Sequence, residues 1–151
     1  MATVTSSIPA AMTAFVEGLQ AREGLDKVQV SSAYLGADSG SHESIYLVGV
    51  SLAEQEWLMV GNRRREEKYT IDGVIWVLRA GKMEADVVVA RERVFELLAE
   101  IEDYIRVDPT IGGTVKVGQI AAYPFQQGVL PEGRVAWIDF EIRCEKDLRS
   151  S

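Results

Sequence analysis

The stretch from Glu66 to Thr114 constrains the chain most, because it reads as a long strand, a turn, an amphipathic helix and an abrupt stop. In EEKYTIDGVIWVLR (residues 66–79), Tyr69, Ile71, Ile75 and Val77 alternate with Thr70 and Asp72, the period-two pattern of a half-buried strand. The other face starts polar and becomes Val74, Trp76 and Leu78, so that end needs cover on both sides, from a second helix or from a neighbouring subunit. Ala80-Gly81-Lys82 breaks the strand pattern. From Met83 to Val107, Val87, Ala90, Val94, Leu97, Ile101, Tyr104 and Ile105 then recur at helical steps, with Glu92, Glu96, Glu100 and Asp103 on the opposite face. Between Glu84 and Asp108 there are three basic and eight acidic residues, and this excess of five supplies most of the chain's net charge of −7. Pro109 disfavours a helical Asp108 and ends the helix, and Gly112-Gly113 supplies a permissive backbone for the next turn.

The rest of the chain completes one sheet. Pro9, Met12, Phe15, Val16 and Leu19 predict a short N-terminal helix that stops at Gly24. Residues 25–30 predict a first strand and 45–52 (IYLVGVSL) a central one. The segment AEQEWLMVGNRRREE reads as a β-hairpin arm or an irregular loop, with Gly61-Asn62 able to form its turn. Residues 114–122 predict another strand with Val115 and Val117 on one face. Residues 123–133 (YPFQQGVLPEG) predict a loop that carries more apolar side chains than solvent requires. The closing strand, 134–145, alternates Ala136, Ile138, Phe140, Ile142 and Cys144 with charged residues. The expectation is α+β: a mainly antiparallel sheet of about four to five strands, packed by an N-terminal helix and one long central helix, with a projecting arm or hairpin. One domain, 1–151, is expected, with 1–7 a frayed or partner-docked arm and 148–151 a flexible tail.

With 151 residues, 47% of them hydrophobic, one domain can bury roughly 70% of the surface its unfolded chain exposes. The single cysteine, Cys144, falls among core residues and argues for neither a disulfide nor a thiolate site. The first twelve residues lack a signal-peptide pattern, and no apolar run approaches the roughly 18 residues of a membrane span, so the cytoplasm is the expected compartment unless the chain leaves inside a larger particle.

No catalytic constellation emerges. His42 is the only histidine and sits in a Gly/Ser-rich loop, so neither a nucleophile–base pair nor a zinc site can be assembled with Cys144. Glu96, Glu100 and Asp103 lie on the polar stripe of the helix, where solvated charge is the simpler reading than an acid–base pair. Gly112-Gly113 lacks a phosphate-loop pattern and precedes a strand. We therefore expect no enzyme, no cofactor and no metal. The run Arg63-Arg64-Arg65 is followed by Glu66-Glu67, a mixed-sign segment better suited to salt bridges with a partner than to nucleic acid. Set against the acidic helix of a neighbouring copy, it could orient a head-to-tail contact. Candidate interface residues are Trp57, Leu58, Met59, Arg63, Arg64 and Arg65 of the arm, Tyr123, Phe125 and Leu130 of the loop, and the strand tryptophans Trp76 and Trp137. The simpler reading makes the tryptophans cover for a second helix.

The segments SSIPAAMTAFVEGL, RREEKYTIDGVIWV, ARERVFELLAEIEDYIRVDPTIGGTV and RVAWIDFEIRCE together resemble the tail terminator, or tail-completion, proteins of long-tailed bacteriophages and their prophage forms. The resemblance rests on helix, strand and turn patterns rather than on an active-site signature. It implies a small subunit that forms a ring, often a hexamer, on the head-proximal end of the tail tube. Such a ring ends tube polymerisation and joins the head connector, with DNA passing through and no membrane involved. Its implied partners are its own copies, the tail tube protein and the head-closure or connector protein. A neighbouring neck protein of the same particle, or a small cytoplasmic ligand-binding α+β domain, are the alternatives. A nucleic-acid-binding regulator would need a basic stripe that the sequence lacks.

Overall fold

A computed structural model describes residues 5–35, 42–59 and 64–149. The elements in chain order are α1 (Ile8–Gln20), a single 3-10 turn (Glu23–Leu25), β1 (Gln29–Ser31), β2 (Glu43–Met59), β3 (Arg64–Ala80), α2 (Glu84–Val107), β4 (Val117–Ala122), β5 (Phe125–Leu130) and β6 (Gly133–Arg149). They form one six-stranded sheet in the order β1-β2-β3-β6, with β4 and β5 on the far side of β6. All neighbours are antiparallel except β1 and β2, which are parallel. The architecture is the expected α+β one, with one strand more than the upper expectation.

That extra strand corrects the reading of residues 123–133 as a loop. Phe125–Leu130 pairs with residues 133–138 of β6, while β4 pairs with residues 141–145 of the same strand. The two short strands thus share one edge of β6 and are separated by Tyr123-Pro124, where the carbonyl of Pro124 accepts the Asp139 N–H. Proline cannot donate to the ladder, so one continuous strand is interrupted there. The arm is a hairpin: β2 runs to Met59 and β3 starts at Arg64, while the intervening Gly61-Asn62 lies outside the described residues. The closing strand runs on to Arg149, and Leu148 is buried, so the expected loose tail is corrected at 148–149, which belong to the sheet.

The alternation read from sequence sets the layers. Tyr69, Ile71, Ile75 and Val77 of β3 and Ala136, Ile138, Phe140, Ile142 and Cys144 of β6 are all buried beneath the helices. From α2 come Ala90, Val94, Leu97, Leu98, Ile101 and Ile105, and from α1 Ala11, Phe15, Val16 and Leu19. Phe15 ties the two layers together, meeting Tyr104 of α2 edge-on at 5.9 Å between ring centres and Phe140 at 6.1 Å. Burying each of these large apolar side chains is worth about 1.5–3 kcal/mol.

The strand-to-helix turn uses Gly81 at φ 124, where a side chain would collide with the Asp86 carboxylate. That carboxylate is occupied in accepting the Met83 N–H at 3.1 Å, which caps the first turn of α2. At the other end Asp108 folds the stop around itself. Its carboxylate accepts the Thr110 N–H, the Thr110 hydroxyl and the Gly112 N–H at 3.1, 2.5 and 2.8 Å. Ile111 takes φ 47, unfavourable for a β-branched residue, and its complete burial offsets that cost.

Candidate assembly surface

Both helices lie on one face of the sheet, so the reading of Trp76 and Trp137 as cover for a second helix is overturned. On the opposite face no helix packs among the described residues. Register places directly paired side chains on a common face, and Trp76 pairs with Trp137 across β3 and β6. Leu78 and Val135 form the next row, and Tyr46, Val74 and Asp139 the row on the other side. Both tryptophans are half-buried. A side chain at Gly128 of β5 would meet the Trp137 ring at 3.4 Å, so the absence of one leaves room for the indole against the sheet. Tyr34 stacks on Tyr46 at 5.3 Å between ring centres, and burial, first, and then Tyr34 and Asp139 push the Tyr46 hydroxyl above its ordinary pKa.

Towards the arm this face becomes acidic. Asp72 pairs with Glu141, Thr70 with Arg143, and Ser51 with Thr70. The next row is Glu54, Lys68 and Glu145, and the one beyond it Glu56, Glu66 and Asp147. Counting Asp139 with these rows gives eight carboxylates against two cations, Lys68 and Arg143, among the described side chains. Like charges directly opposite one another oppose strand pairing by a few tenths of a kcal/mol to about 1 kcal/mol, so these rows contribute little to the fold itself. Lys68, exposed between them, is held protonated beyond the usual lysine range, chiefly by its hydrogen bond to Glu66.

The sheet also has two incomplete edges. β1 covers only Ser44–Tyr46 of β2, and among the described residues no strand lies outside Leu47–Met59. On the other side β4 reaches only Glu145, leaving 146–149 of β6 without an outer neighbour among the described residues. Edges of this kind present unmade backbone hydrogen bonds to another chain.

The candidate residues fall into separate places. Trp76 and Trp137 meet at one end of the open face, with Leu130 on the same face at the end of β5. Phe125 turns to the helical side, stacking on Phe95 of α2 at 5.3 Å, and Tyr123 is exposed at the β4–β5 break. Trp57, Leu58 and Met59 end β2 and Arg64 begins β3, but their side chains, like all of Arg63, lie outside the described ones. Arg65 donates to the Gln55 side-chain carbonyl at 2.8 Å.

The acidic face of α2 is partly neutralised within the chain. Arg93 bonds Glu43 at 2.7 and 3.1 Å and Glu96 at 3.0 Å, Arg22 bonds Glu100 at 2.8 Å, and Arg106 bonds Asp103. The open sheet face is therefore the stronger anionic surface, and sequence missed this because it requires knowing which strands adjoin. Glu67 was missed too, although its parity with Tyr69 and Ile71 was a signal: it is buried on the helical face. A groove of about 680 Å3 lies between α2 and the upper end of β2 and β3, lined by Lys27, His42, Arg79, Glu92 and the Arg93–Glu43 pair among others. Among the described residues no group of three His, Cys, Asp or Glu side chains is placed to hold a metal. Cys144 is buried, and burial pushes its thiol up to about 12, far from a reactive thiolate.

No family model matches the chain, and no curated protein does. Among solved structures, the chain is similar to one from a "Virion of native gene transfer agent (GTA) particle", at 10% identity and a TM-score of 0.48, over 97% of this chain and 100% of that one. At that distance the likeness says nothing of what this protein does. Among the described residues no helix is long and apolar enough to cross a membrane.

Proposed function

We propose that this protein is a structural subunit of a phage-like particle. In this reading its copies form a ring, most simply a hexamer, that caps the head-proximal end of the tail tube, ends tube polymerisation and joins the head connector. The observation that supports it is the one-sided sheet: among the described residues, helices cover one face, the other presents the Trp76–Trp137 pair and eight carboxylates, and the sheet has two incomplete edges. A monomer gains nothing from half-exposed tryptophans, whereas subunit interfaces are enriched in them. Two different edges on one molecule favour a head-to-tail contact, which closes into a ring when its rotation permits. With the acidic face turned inward, DNA phosphate would be repelled and would slide without sticking.

Native mass spectrometry across a range of concentrations, followed by negative-stain imaging, tests this reading. A hexamer-sized ring, or capping of purified tail tubes by an otherwise monomeric protein, is the expected result. A concentration-independent monomer that neither binds tubes nor stops their growth refutes it. A ring that binds connector but leaves tube growth unaffected would point to a head-closure or neck protein of the same particle. The groove beside Arg93 favours a second reading, a ligand-binding domain; it predicts a monomer or dimer whose Trp fluorescence responds to a small molecule.

A further inference from the structure

Glu67 is the one buried carboxylate among the described residues, and the hydrogen bonds it accepts from Ser6 and Ser7 tie β3 to the N-terminal segment. One carboxylate oxygen accepts the Ser7 N–H at 2.9 Å and the Ser7 hydroxyl at 2.7 Å. The other accepts the Ser6 hydroxyl at 2.5 Å and the Gln55 side-chain amide at 3.0 Å. The same Gln55 amide reaches the Thr5 carbonyl at 3.0 Å, and the Ser7 and Tyr69 hydroxyls are 2.9 Å apart. Residues 5–7 therefore cross the root of the arm, gripping β2 through Gln55 and β3 through Glu67. Ser7 is also the first residue before α1, so the anion sits at the positive end of that helix dipole.

The location matters because β2 changes register between Ser51 and Glu54, immediately before Gln55. An irregularity of this kind is where a strand bends and pairing is weakest. The outer strand of the arm beyond it has no further neighbour among the described residues, whereas the inner strand pairs with β6 without a break; the Gln55 amide ties the outer strand to Glu67 on β3 and to the Thr5 carbonyl of the N-terminal segment.

We propose that Thr5–Ser7 form a strap that fixes the pose of the outer strand of the arm, residues 54–59, with Glu67 as its clasp, so that this strand is presented to a partner in one orientation and is freed when the clasp opens. This does not depend on the particle the protein belongs to. Charged and titratable groups near Glu67 are Arg65 and Tyr69 on the same face of β3 and Lys146 in register on β6; the segment before α1 and β2 supply the uncharged donors Ser6, Ser7 and Gln55. Burial raises the Glu67 pKa, and the hydrogen bonds from Ser6, Ser7 and Gln55 together outweigh it and leave the pKa below the ordinary glutamate value. The clasp is thus ionised and closed throughout the neutral range.

Amide hydrogen exchange on the full chain and on Glu67→Ala tests the strap. Exchange in residues 5–11 and in 54–59 should speed up about tenfold, while 71–77 and 94–105 keep their protection, since losing several buried bonds to one carboxylate acts locally. Faster exchange at the N-terminus with an unchanged arm overturns the proposal, as does a uniform increase across the core. Should Glu67→Ala fail to fold, Ser7→Ala leaves the carboxylate three of its four donors and should show the same selective pattern at about threefold; an unaltered arm in that variant overturns the proposal equally.

Discussion

Gly73 stands at the centre of β3, where a residue without a side chain is normally a weakness, so Gly73→Ala might be expected to stabilise the protein by about 0.5–1 kcal/mol. The structure predicts the opposite. Gly73 pairs with Phe140 on β6, on the helical face, and a Cβ there would lie 2.7 and 2.8 Å from two ring carbons of Phe140 and closer still to a third. The ring cannot simply swing away, because Phe15 packs on it and is itself held by Tyr104. Overpacking of this kind costs about 1–3 kcal/mol, which leaves a net loss centred on about 1 kcal/mol and reaching about 2.5 kcal/mol after the backbone gain. For a chain of this size that is a fall in Tm of about 2–4 °C at the centre of the range and of up to about 10 °C at its end. Urea unfolding followed by tryptophan fluorescence measures it, and a double-mutant cycle with Phe140→Leu isolates the clash. Once the ring is gone, Gly73→Ala should become neutral or stabilising, a coupling of at least about 1 kcal/mol. An alanine variant as stable as the parent in the Phe140 background would refute the argument.

Three further outcomes are expected. Trp76→Ala and Trp137→Ala, on the open face, should abolish self-association or tube capping in size-exclusion and capping assays while costing less stability than truncation of buried Ile138 to alanine, for which about 2–5 kcal/mol is typical. Stability should be level from neutral pH down to about 5 and then fall: hydrogen bonds from Thr110 and Gly112 hold the Asp108 pKa below the ordinary aspartate value, as those to Glu67 hold its pKa below the ordinary glutamate value. Depressed carboxylates contribute above their unfolded pKa and lose that contribution as pH falls through the folded one, so Asp108→Asn with Glu67→Gln should flatten the acid limb of a pH–denaturation series. Cys144 should resist a thiol reagent at pH 8 in the native state and react stoichiometrically in denaturant.

Periodicity alone located α1, α2, β3 and β6, because each buries one face and its apolar spacing records which one. The stop at Asp108-Pro109 was legible for a similar reason, since proline acts on its own neighbours. β5 was not legible: Phe125–Leu130 sits between two prolines and carries adjacent glutamines, and its strand character comes from pairing with β6. The arm was read as a hairpin or a loop because Gly61-Asn62 permits either, and its hydrogen bonds to β6 decide the matter.

By itself the sequence determined the principal local elements and the faces that must be buried. Only the tertiary structure decided that both helices share one face, that Trp76 meets Trp137, and that acids from β2, β3 and β6 gather on a single surface. It also decided that Glu67 is buried beneath the N-terminal segment. The reason is physical: helical and strand periods are properties of neighbours along the chain, whereas register and layer order depend on contacts between residues far apart in it, sixty positions in the case of Ser7 and Glu67.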